Sequence, residues 1–104
     1  MATILIAEDA AVVRLILRRA LEAEGHEVVE AEDGPTAFTA IEGDDFDLAI
    51  LDQLMPGMKA MDVLIAWRDQ GIGLPVMILS AVDDPDAVVA ALDAGASDYM
   101  RKPF

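Results

Sequence analysis

Carboxylates directly follow two short apolar segments of the chain. Glu8 and Asp9 come after residues 3–7 (TILIA), and Asp52 comes after residues 48–51 (LAIL). Such segments are typical of buried strands, and the carboxyl ends of parallel strands meet at one edge of a sheet. Three carboxylates gathered there repel one another, and oxygen ligands without a nearby His or Cys favour Mg²⁺ before Ca²⁺ or Mn²⁺. The sequence therefore predicts a magnesium site.

Two further polar side chains follow other candidate strands. Ser80 comes after residues 76–79 (VMIL), and Lys102 comes after residues 98–101 (DYMR). A hydroxyl, a lysine, a divalent cation and a carboxylate free to act as a nucleophile together indicate phosphoryl chemistry. Taken alone, Ser80 is more often a helix cap, and Lys102 is more often a solvated surface residue. The hypothesis therefore depends on their combination with the carboxylates.

The segments that must position these groups alternate between two patterns. Residues 27–31 (EVVEA) complete a set of five candidate strands, and their polar composition marks the second strand as a sheet edge. Apolar residues recur with helical spacing in four stretches, residues 11–24, 35–42, 60–70 and 85–94. In the first stretch, Arg14 and Arg18 lie off the apolar stripe. The alternation predicts an α/β fold with a doubly wound parallel sheet.

Glycine and proline separate these segments. One glycine follows each helical stretch, where a left-handed residue would end the helix: Gly25, Gly43, Gly71 and Gly95. Pro35 and Pro85 occupy first-turn positions, preceded by Gly34 and Asp84 as candidate N-caps.

Composition narrows the possible functions. The chain has 104 residues, enough for one domain, and 55% of them are hydrophobic, which excludes an ordinary disordered segment. Its 20 acidic and 7 basic residues give a net charge of −13, which disfavours nucleic-acid binding by this chain. There is no Cys for thiolate chemistry, and no apolar run approaches the ~18 residues of a membrane span. Without a signal sequence, we expect a cytoplasmic domain.

Four stretches carry a resemblance to a known family: ILIAED (4–9), DLAILDQLMPGM (47–58), PVMILSA (75–81) and GASDYMRKPF (95–104). The chain resembles the receiver domain of two-component response regulators over essentially its whole length, residues 1–104. The resemblance implies a flavodoxin-like sheet with strand order 2-1-3-4-5. It also implies a phosphoacceptor switch that is paired with a sensor histidine kinase or phosphotransfer protein and read by a downstream protein or an appended output domain.

The resemblance assigns the metal site and the phosphoacceptor. Asp52 would take a phosphoryl group from a phosphohistidine of the kinase. Asp9 and Asp52 would bind Mg²⁺ directly, together with the backbone carbonyl of Leu54, and Glu8 would act through a metal-bound water. Such a domain promotes its own phosphorylation and dephosphorylation, so we expect no turnover of an external substrate.

The resemblance also assigns a switch. Lys102 would pair with the Asp52 carboxylate and then with the phosphoryl oxygens. Ser80 would move to hydrogen-bond the phosphoryl group, and Tyr99 would rotate inward into the space that Ser80 leaves.

The sequence departs from the family pattern in three places. Lys59-Ala60 replaces the usual glycine-containing pair, so the entry into the third helix is expected to differ. Leu54 and Val82 are both apolar where they would flank the phosphoryl group, which predicts restricted water access. No fifth helix follows the last strand, so one sheet face should present apolar surface and favour a homodimer.

Three other functions compete with this interpretation. A receiver fold that no longer signals by phosphate would be an interaction module, and the missing helix favours it. A metal-dependent phosphatase of similar topology needs a second Asp where this chain has Leu54, so it ranks low. A dinucleotide binder ranks lower, because no glycine-rich phosphate loop follows a strand. The sequence does not reveal the kinase or the pathway.

Overall fold

The computed structural model of the chain describes residues 1–43, 45–80 and 85–101. Along these residues run β1 (Thr3–Ala7), α1 (Ala11–Ala23), β2 (Glu27–Ala31), α2 (Gly34–Ala40), β3 (Leu48–Asp52), α3 (Ala60–Asp69), β4 (Val76–Ser80), α4 (Pro85–Asp93) and β5 (Asp98–Arg101). All neighbouring strands are parallel, in the order β2-β1-β3-β4-β5. The predicted fold class, the strand order and the edge position of the second strand are confirmed.

Helices cover both faces of the sheet, but unequally. Residues of α2, α3 and α4 contribute to the larger core cluster, on one face, with Leu5 and Leu51 of the sheet. In this cluster Trp67 is fully buried, and its indole N–H donates a hydrogen bond to the Phe38 carbonyl at 3.3 Å. α1 packs on the other face, and none of its residues is fully buried. Among the described residues, no helix is both long and apolar enough to span a bilayer.

An apolar groove separates α1 from the strands β3, β4 and β5. Its volume is about 300 Å³. Its lining includes Ile16, Leu17 and Leu21 of α1 and Ile50, Met77 and Met100 of the sheet. Ile16 is 55% exposed and Met100 is 38% exposed. The apolar surface expected on this face is therefore present.

The ends of α2 correct two sequence predictions. Gly34 is not the N-cap but the first helical residue; the cap is Asp33, whose carboxylate accepts a hydrogen bond from the Thr36 N–H at 2.8 Å. A carboxylate can accept this bond and glycine has no acceptor there, so Asp33 takes the position. The hydrogen bonds from the Thr36 side chain and backbone lower the pKa of Asp33.

Gly43 does not end its helix in the left-handed conformation that the sequence predicts. Positive φ angles occur at Gly25, Gly71 and Gly95, as predicted, but not at Gly43. The reason is that α2 ends earlier, at Ala40, and the chain then continues through hydrogen-bonded turns. Asp84, the other predicted N-cap, lies outside the described residues.

The start of α3 shows how Lys59-Ala60 is accommodated. Lys59 is the N-cap with an extended backbone (φ −77°), and its N–H donates a hydrogen bond to the Asp62 carboxylate at 3.1 Å. The left-handed residue of this loop is Gly57, with φ +83°. Neither Lys59 nor Ala60 therefore needs the backbone freedom of glycine.

Candidate functional site

Glu8, Asp9 and Asp52 come together at the carboxyl edge of the sheet. One carboxylate oxygen from each lies within 4.8 Å of the others. Glu8 is fully buried and Asp52 is 6% exposed, whereas Asp9 is exposed. The structure therefore contains the predicted cluster, with two carboxylates withdrawn from solvent and one facing it.

Strand register explains this proximity. Ala7 pairs with Leu51, so the next residues along the two strands, Glu8 and Asp52, lie side by side where β1 and β3 end. The Glu8 N–H donates a hydrogen bond to the Ala31 carbonyl of β2 at 3.1 Å, which continues the parallel ladder beyond the last residue of β1. The backbone of the sheet thereby brings the acidic side chains together.

The cluster has the chemistry of a hard-cation site. At 4.8 Å and an effective dielectric constant of ~20, two carboxylate charges repel by about 3.5 kcal/mol, and a divalent cation would reverse that balance. The donors are carboxylate oxygens only, which suits Mg²⁺ because it prefers oxygen ligands and retains several waters. The residues present therefore fit the metal that the sequence predicted.

Arg14 contributes a contact at this site that the sequence did not predict. Its guanidinium Nη1 donates a hydrogen bond to the backbone carbonyl of Glu8 at 2.8 Å, and only 15% of its side chain is exposed. The helical period shows that Arg14 leaves the apolar stripe, but it does not show that the side chain extends back toward the preceding loop. Its position in the first turn after an acidic loop is the one signal available in the sequence.

Ser80 lies near the acidic cluster, on the neighbouring strand. It is the last residue of β4 and is 1% exposed. β4 pairs directly with β3, where Asp52 is also the last residue, so both polar groups emerge at the same sheet edge. Lys102 and Val82 lie outside the described residues, and their roles stay predictions.

Tyr99 and Leu54 differ in their exposure. The Tyr99 phenol hydroxyl is buried and has no hydrogen-bond partner among the described residues, and its ring packs on the larger core cluster. A buried hydroxyl without a partner costs about 1–3 kcal/mol. Leu54, two residues after Asp52, is 59% exposed. The tyrosine hydroxyl therefore already lies inside the fold, while the leucine presents apolar surface to solvent beside the acidic edge.

The sequence profile of the response regulator receiver domain matches residues 4–104. The chain belongs to the response regulator receiver family. The transcriptional regulatory protein TcrA of Mycobacterium tuberculosis is 40% identical over 101 residues, which are 97% of this chain and 40% of that protein. The response regulator MprA of Mycolicibacterium vanbaalenii is 42% identical over 101 residues, again 97% of this chain and 44% of that protein.

Solved receiver structures match the whole fold. The receiver domain of the Francisella response regulator 1452 superposes with a TM-score of 0.96 at 31% identity, covering 100% of this chain and 86% of that chain. The Vibrio cholerae chemotaxis protein CheY4 superposes with a TM-score of 0.92 at 29% identity, covering 100% of this chain and 88% of that chain.

The family match and the acidic cluster together indicate the general role of this domain. As a receiver domain, it takes part in two-component signalling, and its Glu8, Asp9 and Asp52 cluster is compatible with Mg²⁺ binding and phosphorylation. The chain spans less than half the length of TcrA and MprA.

Proposed function

We propose that this receiver domain is a phosphoacceptor switch in which Asp52 takes a phosphoryl group from the phosphohistidine of a sensor histidine kinase or phosphotransfer protein. The observation that carries this proposal is the position of the Asp52 carboxylate, which lies at the end of a central strand, is 6% exposed, and lies within 4.8 Å of two other acidic side chains. Such an arrangement suits a nucleophile that reacts next to a bound cation.

The reaction forms one bond and breaks one. A carboxylate oxygen of Asp52 attacks phosphorus, the P–N bond of the phosphohistidine breaks, and its electron pair stays on the imidazole nitrogen. The product is an aspartyl phosphate. Mg²⁺ held by Asp9, Asp52 and the Leu54 carbonyl, with Glu8 acting through water, would neutralise negative charge on the phosphoryl oxygens.

The remaining site residues turn this chemistry into a signal. Lys102 pairs with the carboxylate and then with the phosphoryl oxygens, while the Ser80 hydroxyl donates to the phosphoryl group. The Tyr99 ring lies on β5 and is partly buried against the larger core cluster, which supports its assignment as the reporter of this change. The altered surface of α4 and β5 is read by a downstream protein or an appended output domain in the cytoplasm.

Mass spectrometry of the intact protein tests this proposal. The protein is incubated with Mg²⁺ and acetyl phosphate, beside the Asp52→Asn variant and a sample without Mg²⁺. We expect the mass of one phosphoryl group on the parent alone. An equal adduct on Asp52→Asn, or no adduct on a folded parent, would contradict the proposal.

A second candidate is an interaction module that does not signal by phosphate, and the exposed apolar groove beside α1 favours it. In either case we propose that the groove and the neighbouring apolar residues of α1 bury themselves against a second copy of the chain, forming a homodimer. Val12, Leu15 and Ile16 are between 44% and 70% exposed, which is unfavourable for an isolated domain.

A further inference from the structure

Hydrogen bonds from three directions hold Glu8 and the peptide that joins it to Asp9. The Glu8 N–H donates to the Ala31 carbonyl at 3.1 Å. The Glu8 carbonyl accepts from Arg14 Nη1 at 2.8 Å, and its carboxylate Oε1 accepts from the Ala10 N–H at 3.2 Å. Both backbone polar groups of Glu8 are therefore paired within the protein.

The hydrogen bond from Arg14 to the Glu8 carbonyl also restrains the next residue, Asp9. A peptide unit is planar, so the Glu8 carbonyl and the Asp9 N–H lie in one rigid plane. Fixing that carbonyl fixes the orientation of the peptide from which Asp9 begins. Because Asp9 is exposed, packing against neighbours does little to hold it. The guanidinium thus restrains a ligand that it does not contact.

Arg14 is itself anchored on the neighbouring strand. Its Nε lies 3.8 Å from the Glu30 carboxylate of β2, and 15% of its side chain is exposed. Arg18, one turn further along α1, has its Nη1 3.4 Å from the same Glu30 carboxylate and its Nε 3.2 Å from that of Glu22. In the described part of the chain, Arg18 pairs with these two glutamates and not with the Glu8 carbonyl. Arg18 is therefore a matched control for Arg14.

We propose that Arg14 is a positioning residue for the metal ligands: through the Glu8 carbonyl it orients the Glu8–Asp9 peptide so that Asp9 and Glu8 face the cation. The inference rests on the proposed function, which supplies the Mg²⁺ site. An effect of charge alone and an effect of positioning would change the Mg²⁺ affinity in opposite directions when Arg14 is replaced. Removing a positive charge beside a cation site strengthens cation binding by electrostatics, whereas releasing the peptide weakens it.

The sign of the change in Mg²⁺ affinity therefore tests the proposal. Isothermal titration with Mg²⁺, without any phosphodonor, is compared for the parent, Arg14→Met and Arg18→Met. Each variant removes one positive charge and one Glu30 contact from the same helix. We expect Arg14→Met to weaken binding by about tenfold, the order found for outer-shell partners of metal ligands. Arg18→Met should stay within about twofold, because exposed charges are screened.

Thermal unfolding without Mg²⁺ accompanies each titration. Should Arg14→Met fail to fold, Arg14→Lys replaces it: it keeps the charge but lacks the planar fork that reaches Glu8 and Glu30 together, and we expect a smaller weakening. Unchanged or tighter Mg²⁺ binding by the Arg14 variant, or an equal loss in Arg18→Met, would overturn the proposal.

The experiment separates this inference from the proposed function. A parent that binds Mg²⁺ but takes no phosphoryl group contradicts the phosphoacceptor role, while the affinities still decide the role of Arg14. A parent that binds no Mg²⁺ overturns both. An Arg14 variant with normal Mg²⁺ affinity and lost phosphorylation overturns only the positioning role.

Discussion

At the scale of single residues, the site combines carboxylates with unequal access to solvent. A nucleophilic carboxylate reacts best where few waters compete for its oxygens, and Asp52 is 6% exposed. Asp9 faces solvent, so an incoming hydrated cation can exchange waters for its oxygen without opening the core. Burial therefore suits the proposed role of Asp52 as the nucleophile, and exposure suits the proposed role of Asp9 as a metal ligand.

The lifetime of the aspartyl phosphate tests the role of Leu54. This side chain is apolar, 59% exposed and two residues from Asp52, where the family resemblance implies that it flanks the phosphoryl group. Leu54→Asn would offer hydrogen bonds to an attacking water, so we expect the adduct to decay several-fold faster, measured by intact mass over time. Leu54→Met, which conserves volume and polarity, should keep the parent half-life. A parent half-life as short as that of Leu54→Asn would count against this role.

The acidic residues of the site could be predicted because each follows an apolar strand segment, and topology then brings strand ends together. The contact of Arg14 could not be predicted, because its partner is the backbone carbonyl of Glu8, and the direction of that carbonyl relative to Arg14 depends on how α1 packs on the sheet. The buried hydroxyl of Tyr99 depends in the same way on packing between distant segments. Local sequence patterns indicate which residues end a strand, but they do not indicate which hydrogen-bond donors contact those residues in the folded protein.

At the scale of elements, the start of α2 packs closely against the loop that precedes α3. A Cβ added to Gly34 would lie 2.5 Å from Met58 Cβ and 2.8 Å from the Met58 carbonyl carbon, and it would also collide with the Met58 carbonyl oxygen. This contact joins α2 to the loop that leaves Asp52. Position 34 therefore requires glycine because a side chain would not fit there. Backbone conformation is not the reason, because the φ angle of Gly34 is not positive.

Gly34→Ala should therefore be destabilising. We expect a loss of about 1–3 kcal/mol, the usual cost of forcing extra volume into a packed site, measured by urea unfolding. Gly43→Ala is the matched control, because nothing lies within 4 Å of the place that its methyl group would take and its φ is not positive. Equal unfolding midpoints for the two variants would show that the loop moves away without cost.

The elements were the most predictable part of the fold, because apolar runs and helical periodicity are local properties. The structure differs from the sequence prediction at the ends of α2. The sequence predicts that Gly34 is a cap, whereas glycine is needed there because a Cβ would collide with Met58, which lies far along the chain. The sequence also predicts that Gly43 ends the helix, but the helix ends at Ala40. Helix ends are decided by single hydrogen bonds, and periodicity does not report those.

At the scale of the whole molecule, two properties oppose each other. The apolar groove beside α1 favours association, whereas a net charge of −13 favours separation of copies. Added salt screens the charge and leaves apolar contacts in place. The balance should therefore move toward the dimer as ionic strength rises.

Sedimentation velocity tests this association. We expect the dimer fraction of the parent to grow with protein concentration and with salt, and Ile16→Asp to remain a monomer. Ile65→Asp is the control: Ile65 is 46% exposed, close to the 55% of Ile16, but lies on α3 and outside the groove. A parent that stays monomeric at high concentration and high salt would refute the homodimer.

The position of the phosphoryl group on the chain distinguishes Asp52 from the other carboxylates. The parent is treated with Mg²⁺ and acetyl phosphate and then with borohydride, which reduces an aspartyl phosphate to homoserine, and peptides are sequenced by mass spectrometry. We expect homoserine at position 52, unreduced aspartate at position 9, and unreduced aspartate at both positions in samples without phosphodonor. Homoserine at another aspartate position, a reduced glutamate, or unreduced Asp52 in a protein that carries the phosphoryl mass would contradict the phosphoacceptor role of Asp52.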